Sequence, residues 1–159
     1  MRILLQRVSR ASVRVVLEDG SRELTGTIAN GLLALVGIRE SDTLEEVRWM
    51  VEKVAQIRIF EDNLGKMNLS VEDIGGSVLA VSQFTLYGDL PKGNRPSFIR
   101  AAEPGKAEHL YNQFVSQLRT RLGEARVAEG RFRAKMVVEL TNDGPVTIML
   151  ERESTAKSG

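Results

Sequence analysis

Apolar positions fall into strand-length runs over the first third of the chain. Residues 3–8 and 12–17 carry apolar and β-branched side chains in such runs, which predicts two strands. Glu18-Asp19-Gly20-Ser21 then turns the chain into residues 23–28, Asp-Gly being a common hairpin signal. Asn30-Gly31 turns it again before the unbroken apolar run 32–38, which fits a buried strand. The period then changes. Leu44, Val47, Met50, Val51, Val54 and Ile57 recur at helical spacing, and Thr43 with Glu46 fits a capping box, so a helix starts near Thr43. Residues 58–60 read as a strand entering the turn Glu61-Asp62-Asn63-Leu64-Gly65, and residues 77–84 as a strand after Gly75-Gly76. Residues 88–97, with two prolines and two glycines, form a loop. A second helix begins near Pro104 with the stripe Ala107, Leu110, Tyr111, Phe114, Leu118 and Leu122. Residues 136–140 and 146–150 are strands joined by Thr141-Asn142-Asp143-Gly144-Pro145. The sum predicts one α/β domain over 1–152. Its sheet is mixed, mostly antiparallel or barrel-like, and is packed with two long helices. The tail, 153–159, reads as frayed.

Composition narrows the chemistry. At 159 residues and 42% apolar, the chain can bury a real core. The absence of cysteine excludes disulfides, thiolate catalysis and cysteine-ligated zinc. No apolar run approaches membrane-spanning length, and Gln6 and Arg7 follow the apolar start too soon for a secretory leader. A cytoplasmic protein is expected. With 22 basic and 21 acidic residues the net charge is +1, unlike a protein that grips long nucleic acid. The groups Arg7, Arg10 and Arg14, then Lys92, Arg95 and Arg100, then Arg119, Arg121, Arg126, Arg131 and Arg133 read as solvated surface. A short RNA end needs only a few phosphate contacts, so neutrality leaves RNA open.

The usual catalytic sets are missing. The single histidine, His109, falls about 200° round the second helix from Ala107, on its polar face. A Ser-His-Asp set would depend on it alone, and no histidine pair exists for zinc. Glu45-Glu46 and Glu61-Asp62 read as solvated pairs, and no Gly-rich phosphate loop of standard spacing occurs. Two segments stand out. Ser82-Gln83-Phe84-Thr85 ends a strand in short polar side chains and an aromatic, which suits a ligand site. It equally suits an ordinary strand end with Phe84 in the core. Gly144-Pro145-Val146-Thr147 makes a stiff corner or a plain hairpin turn, and X–Pro bonds being mostly trans, the residues alone predict trans.

Together these two segments resemble the signatures of the D-aminoacyl-tRNA deacylase family. Gln6-Arg7-Val8, Arg10-Ala11-Ser12-Val13, Gly65-Lys66-Met67-Asn68-Leu69, Arg95-Pro96-Ser97-Phe98 and Gly130-Arg131-Phe132 extend the likeness over roughly residues 1–150. Departures are a longer hairpin at Glu18–Arg22, Leu90-Pro91 in the loop before Lys92, and the tail from Glu153.

The resemblance implies a homodimer with a cis Gly144–Pro145 bond. Gly144 and Pro145 of one chain would face Ser82–Thr85 of the other at an interfacial active site. Backbone carbonyls of the corner would reject the side chain of an L-amino acid and admit D-amino acids and glycine. The reaction implied is hydrolysis of the ester between a D-amino acid, or mischarged glycine, and the tRNA 3′ end. Ser82, Gln83 and Thr85 are the expected catalytic residues, with backbone N–H groups at 83–85 as an oxyanion site. Phe84, Gly144, Pro145, Val146 and Thr147 are expected to bind substrate, Phe84 by stacking on the terminal adenosine. Either Thr85 is a nucleophile, or the ribose 2′-hydroxyl helps activate water. The second is preferred because no base for Thr85 is evident. No metal or organic cofactor is expected. The alternative is a non-catalytic nucleic-acid-binding dimer on the same scaffold.

Overall fold

The computed structural model describes residues 1–153. Its centre is β1 (Arg2–Val16), one strand of 15 residues where the sequence suggested two. Ser9 and Arg10 break the apolar alternation, and both are exposed. They contain no turn former, so the backbone stays extended through them. In chain order there follow β2 (Arg22–Ile28), β3 (Gly31–Gly37), α1 (Leu44–Gln56), β4 (Phe60–Glu61), β5 (Met67–Leu69), β6 (Ser77–Ser82), α2 (Pro104–Leu122), β7 (Val127–Glu129) and β8 (Met136–Glu151).

Antiparallel β3 pairs with the first half of β1, from Arg2↔Gly37 to Val8↔Gly31, and β2 with the second, from Ala11↔Ile28 to Val16↔Arg22. The other edge of β1 belongs to β8 along almost its full length, from Arg2↔Glu151 to Val15↔Met136. Parallel pairs β3–β6 and β6–β7 complete a mixed six-stranded sheet. The sheet curls until β2 approaches β7. A Cβ on Gly26 would stand 2.8 Å from the Glu129 carbonyl oxygen, so only glycine permits this near-closure.

Several expected boundaries move. The hairpin expected at 141–145 does not form, because both flanks pair with β1 and β8 runs through as 16 residues. The strand expected over 77–84 stops at Ser82, and a 3₁₀ turn, Phe84–Tyr87, follows. The strand expected at 58–60 is only Phe60–Glu61. Strands β5 and β7, three residues each, are too short to carry a readable period.

Two helices cover one face of the sheet. Ile3, Leu5, Leu32, Ala34 and Val36 meet Val47, Met50 and Val54 of α1 and Leu110, Phe114 and Leu118 of α2 in one buried cluster. Val8, Val13, Leu33, Leu79 and Val81 form a second, smaller one. Alternate residues of β3 thus feed both clusters, which is why its sequence is apolar throughout. Burial of each such large side chain contributes about 1.5–3 kcal/mol. The predicted capping box is present. The Thr43 amide and hydroxyl donate to Glu46 Oε2 at 2.8 and 2.7 Å, and the Glu45 amide donates to Thr43 Oγ1 at 3.2 Å. Pro104 stands at the start of α2, as expected. No helix among the described residues is long and apolar enough to cross a membrane. Of the expected frayed tail, 154–159 lie outside the described residues. Glu153 is held by Arg39 and Arg100 at 2.9 and 3.0 Å.

Candidate active site

The first signature sits where β6 leaves the sheet. Ser82 pairs with Val36, and the Gln83 amide still donates to the Val36 carbonyl at 2.7 Å. Beyond that bond the chain tightens into the Phe84–Tyr87 turn, closed by Leu86 N to Gln83 O at 3.2 Å and Gly88 N to Thr85 O at 2.9 Å. Phe84 and Thr85 open the turn, where amide N–H groups find no acceptor within it. Phe84 is 59% exposed, which excludes a core role, and its ring meets Phe98 edge-on with centroids 5.1 Å apart. The Gln83 side chain donates through Nε2 to the Thr85 hydroxyl. A carboxamide takes no proton near neutrality, so Gln83 is no general base for the hydroxyl it contacts. His109 is exposed on α2.

Behind Phe84 lies a cavity of about 280 Å³, lined by Ser82, Gln83, Phe84, Phe132, Arg133 and Met136 among others. Arg133 has φ 63°, in the left-handed region uncommon for residues other than glycine. The volume falls just below the range for small-molecule sites, about 300–1,000 Å³.

The second signature is a bulge inside β8. Between the pairs Gln6↔Thr147 and Val8↔Asn142, β1 advances two residues and β8 five. Asp143, Gly144 and Pro145 project from the sheet and are exposed, Val146 is buried in the helix-side core, and Thr147, back in register with Gln6, is exposed. The Gly144–Pro145 bond is cis, as the family resemblance implied and the residues alone did not. Gly144 has φ 140°, and a Cβ there would meet Val146 Cγ2 at 2.7 Å.

The bulge is clamped. Arg7, only 6% exposed, donates Nε to the Asp143 carbonyl at 2.9 Å and Nη1 to the Ile59 carbonyl at 2.8 Å. The Asp143 and Glu61 carboxylates lie 3.6 and 3.9 Å from its guanidinium. Val146 N donates to Asn142 Oδ1 at 2.9 Å, and Thr147 Oγ1 accepts from Asn142 at 3.0 Å and Gln6 at 3.3 Å. Grouping Arg7 with solvated surface charge was therefore incorrect. The signal was present in the sequence: Arg7 follows Ile3 and Leu5 on the inward register of β1, where a charge must have partners.

Within one chain the two signatures are not brought together. Ser82 lies in the row Val36–Ile3–Leu150, whereas the bulge lies beside Gln6 and Val8. Measured along the sheet, β6 and β8 are three strand spacings apart, roughly 14 Å.

A curled mixed sheet with a strand-end recess on one side and a projecting Gly-Pro bulge on the other defines a specific class of protein. A family model described as D-Tyr-tRNA(Tyr) deacylase matches residues 4–151. A D-aminoacyl-tRNA deacylase of Shouchella clausii (strain KSM-K16) is 56% identical, covering 96% of this chain and 100% of its own. Another, from Chloroherpeton thalassium (strain ATCC 35110 / GB-78), is 54% identical over 95% of each. Among solved structures, the c-Myc DNA Unwinding Element Binding Protein matches with a TM-score of 0.88 and 42% identity, over 97% of this chain and 100% of that one. A probable eukaryotic D-amino acid tRNA deacylase shares the fold, with a TM-score of 0.80 at 19% identity over 94% and 97% of the two chains. The chain belongs to the D-Tyr-tRNA(Tyr) deacylase family.

Proposed function

We propose that this protein hydrolyses the ester joining a D-amino acid, or mischarged glycine, to the 3′ end of tRNA, in the cytoplasm, as a homodimer whose active site spans two copies. Family membership supports the reaction class. The observation that carries the rest is the separation of the two signatures: each presents exposed residues, Phe84 and Thr85 in one and Gly144, Pro145 and Thr147 in the other, and one chain does not bring them face to face. A second copy can, by presenting its Gly144–Pro145 bulge to the recess at Ser82–Phe84. The bulge then rejects an L-side chain by steric conflict with its backbone, while a D-residue turns its side chain away. Glycine has no side chain to reject and is admitted.

Amides at the start of the Phe84–Tyr87 turn are the donors for the tetrahedral oxyanion. Ser82, Gln83 and Thr85 orient the ester. With only an amide beside Thr85, the step proceeds by attack of water assisted by the neighbouring ribose 2′-hydroxyl, without an acyl-enzyme. Water adds to the ester carbon, the terminal ribose hydroxyl leaves with a proton, and the D-amino acid is freed. Exposed Phe84 receives the adenine ring.

Parallel incubation with D-Tyr-tRNA, L-Tyr-tRNA and Gly-tRNA tests the reading. Loss of the D- and glycyl esters with the L-ester intact is expected. Equal rates for the two enantiomers would overturn the filter, and a monomer by light scattering at full activity would overturn the shared site. The rival is a nucleic-acid-binding dimer without turnover. One solved relative is named for DNA binding. The near-neutral charge sits against this reading. Tight, strongly salt-dependent duplex binding with no ester loss would favour it.

A further inference from the structure

The reaction uses the front of the Phe84–Tyr87 turn and leaves its back unassigned. Tyr87 is fully buried there, and Arg2 and Arg100 stand over its ring at 4.7 and 5.8 Å from the centroid. Arg39 is held beside Arg100 by the backbone, through a bridge between Arg39 and Ala101 and a 2.9 Å bond from Ala102 N to the Ile38 carbonyl. Both guanidinium groups bind one carboxylate. Glu153 meets Arg39 Nη1 through Oε2 at 2.9 Å and Arg100 Nη2 through Oε1 at 3.0 Å. All three side chains remain between 30% and 40% exposed, so the site opens to solvent.

One anion bridging two arginines through both its oxygens is the arrangement in which arginines also hold a phosphate. The pair is next to the reaction site, because Phe98, two residues before Arg100, packs against Phe84. We propose that Arg39 and Arg100 form a subsite for a backbone phosphate of the RNA strand that leads to the scissile ester, and that Glu153 fills this subsite until RNA displaces it. The proposal rests on the deacylase reading above. A partly exposed ion pair contributes little, so exchange of one carboxylate for a polyanion that makes further contacts is easy. The carboxylate keeps stray anions out and makes the chain select an RNA that brings the whole acceptor end.

Binding of uncharged tRNA to the full chain, read by fluorescence anisotropy over a salt series, tests this. Arg39→Gln and Arg100→Gln should each weaken binding at low salt by about fivefold or more, and each should flatten the plot of log K against log salt by about 0.7–0.9. Glu153→Gln should tighten binding by about threefold at low salt, and the gain should vanish when Arg39→Gln is added. Glu52→Gln controls for net charge, since it removes an exposed carboxylate of α1 that interacts with Arg121 of α2. Equal tightening by Glu52→Gln, or a gain from Glu153→Gln that survives in the Arg39→Gln background, overturns the proposal. So does wild-type tRNA affinity in both arginine variants. D-tyrosyl-adenosine, an ester without phosphate, separates this from the activity. If the wild type cleaves neither this ester nor D-Tyr-tRNA, the deacylase reading falls, while the binding series still decides the subsite. If it cleaves both, the arginine variants should lose at least about fivefold more on tRNA than on the adenosine ester. Equal losses on both would overturn the phosphate subsite.

Discussion

The strand end at Ser82 and the bulge at Gly144 are both short interruptions of a sheet, yet the chain secures them by opposite means. The first is where β6 ends. Its last backbone bond goes to Val36, and core packing beneath sets its position. The second lies inside β8, where four residues, 143–146, have left the ladder, and it needs a clamp of its own. Arg7 supplies that clamp from the neighbouring strand, at the cost of burying a guanidinium. A recess can be inherited from a fold, whereas a projection that must hold its shape against a ligand has to be built residue by residue.

That contrast can be broken or sharpened by substitution. The largest effect is expected for Gly144→Ala. Its Cβ would stand 2.7 Å from Val146 Cγ2 at a φ of 140°, so the bulge must deform. D-aminoacyl-tRNA hydrolysis should fall about 100-fold or more, equivalent to about 2.7 kcal/mol of transition-state stabilisation. Wild-type rates would show that the bulge's shape is unimportant. Next is Arg7→Met, which leaves the Asp143 and Ile59 carbonyls without their donor. It should cost about 1–3 kcal/mol in urea melts and reduce discrimination between D- and L-esters. Unchanged stability and selectivity would remove Arg7 as the clamp.

At the recess, Thr85→Ala should slow hydrolysis by less than about tenfold, because the side chain that touches its hydroxyl is the Gln83 carboxamide, which is not a base. Loss to background with tRNA binding intact would restore the nucleophile. The smallest effect concerns neither region and serves as the baseline. Thr43→Ala should cost about 1 kcal/mol through the α1 cap. Burial pushes the Glu46 carboxyl up, but the Thr43 hydroxyl and amide that donate to it outweigh this and hold it below the usual glutamate range. A carboxyl depressed in the folded state stabilises fully above its unfolded value, about pH 4.3, and that contribution is lost as pH falls through the folded value. The gap between wild type and Thr43→Ala should therefore narrow in acid. A gap independent of pH would dissociate Glu46 from the cap.

Where side-chain period or cap chemistry decides structure, reading the residues worked. Thr43 with Glu46 marked the start of α1, Pro104 that of α2, and the apolar run of β3 its two-sided burial. Reading failed where pairing partners decide. Ser9-Arg10 looked like a gap between strands and Gly144-Pro145 like a turn, yet β1 and β8 run through both. The two misleading segments are in fact neighbours, since the register shifts of this pair fall at Gln6–Val8 and Val8–Arg10. A break in one strand is tolerated because the other breaks beside it, and no single stretch of sequence records that. Both signatures were legible as motifs, but not their distance from one another or the exposure of Phe84. Those depend on how many strands come to lie between β6 and β8.

The pairing of Arg2 with Glu151 also governs how the chain can be assembled in time. A strand that lies at the centre of the sheet waits for the last strand before both its edges are covered. Sequence separation of this kind slows folding, because a long loop must close before its contacts form. During synthesis β1, β2 and β3 can zip together early, but one edge of β1 stays open until the residues of β8 arrive, and an open edge invites pairing with another chain. The segment bearing Gly144 and Pro145 is thus among the last pieces set in place.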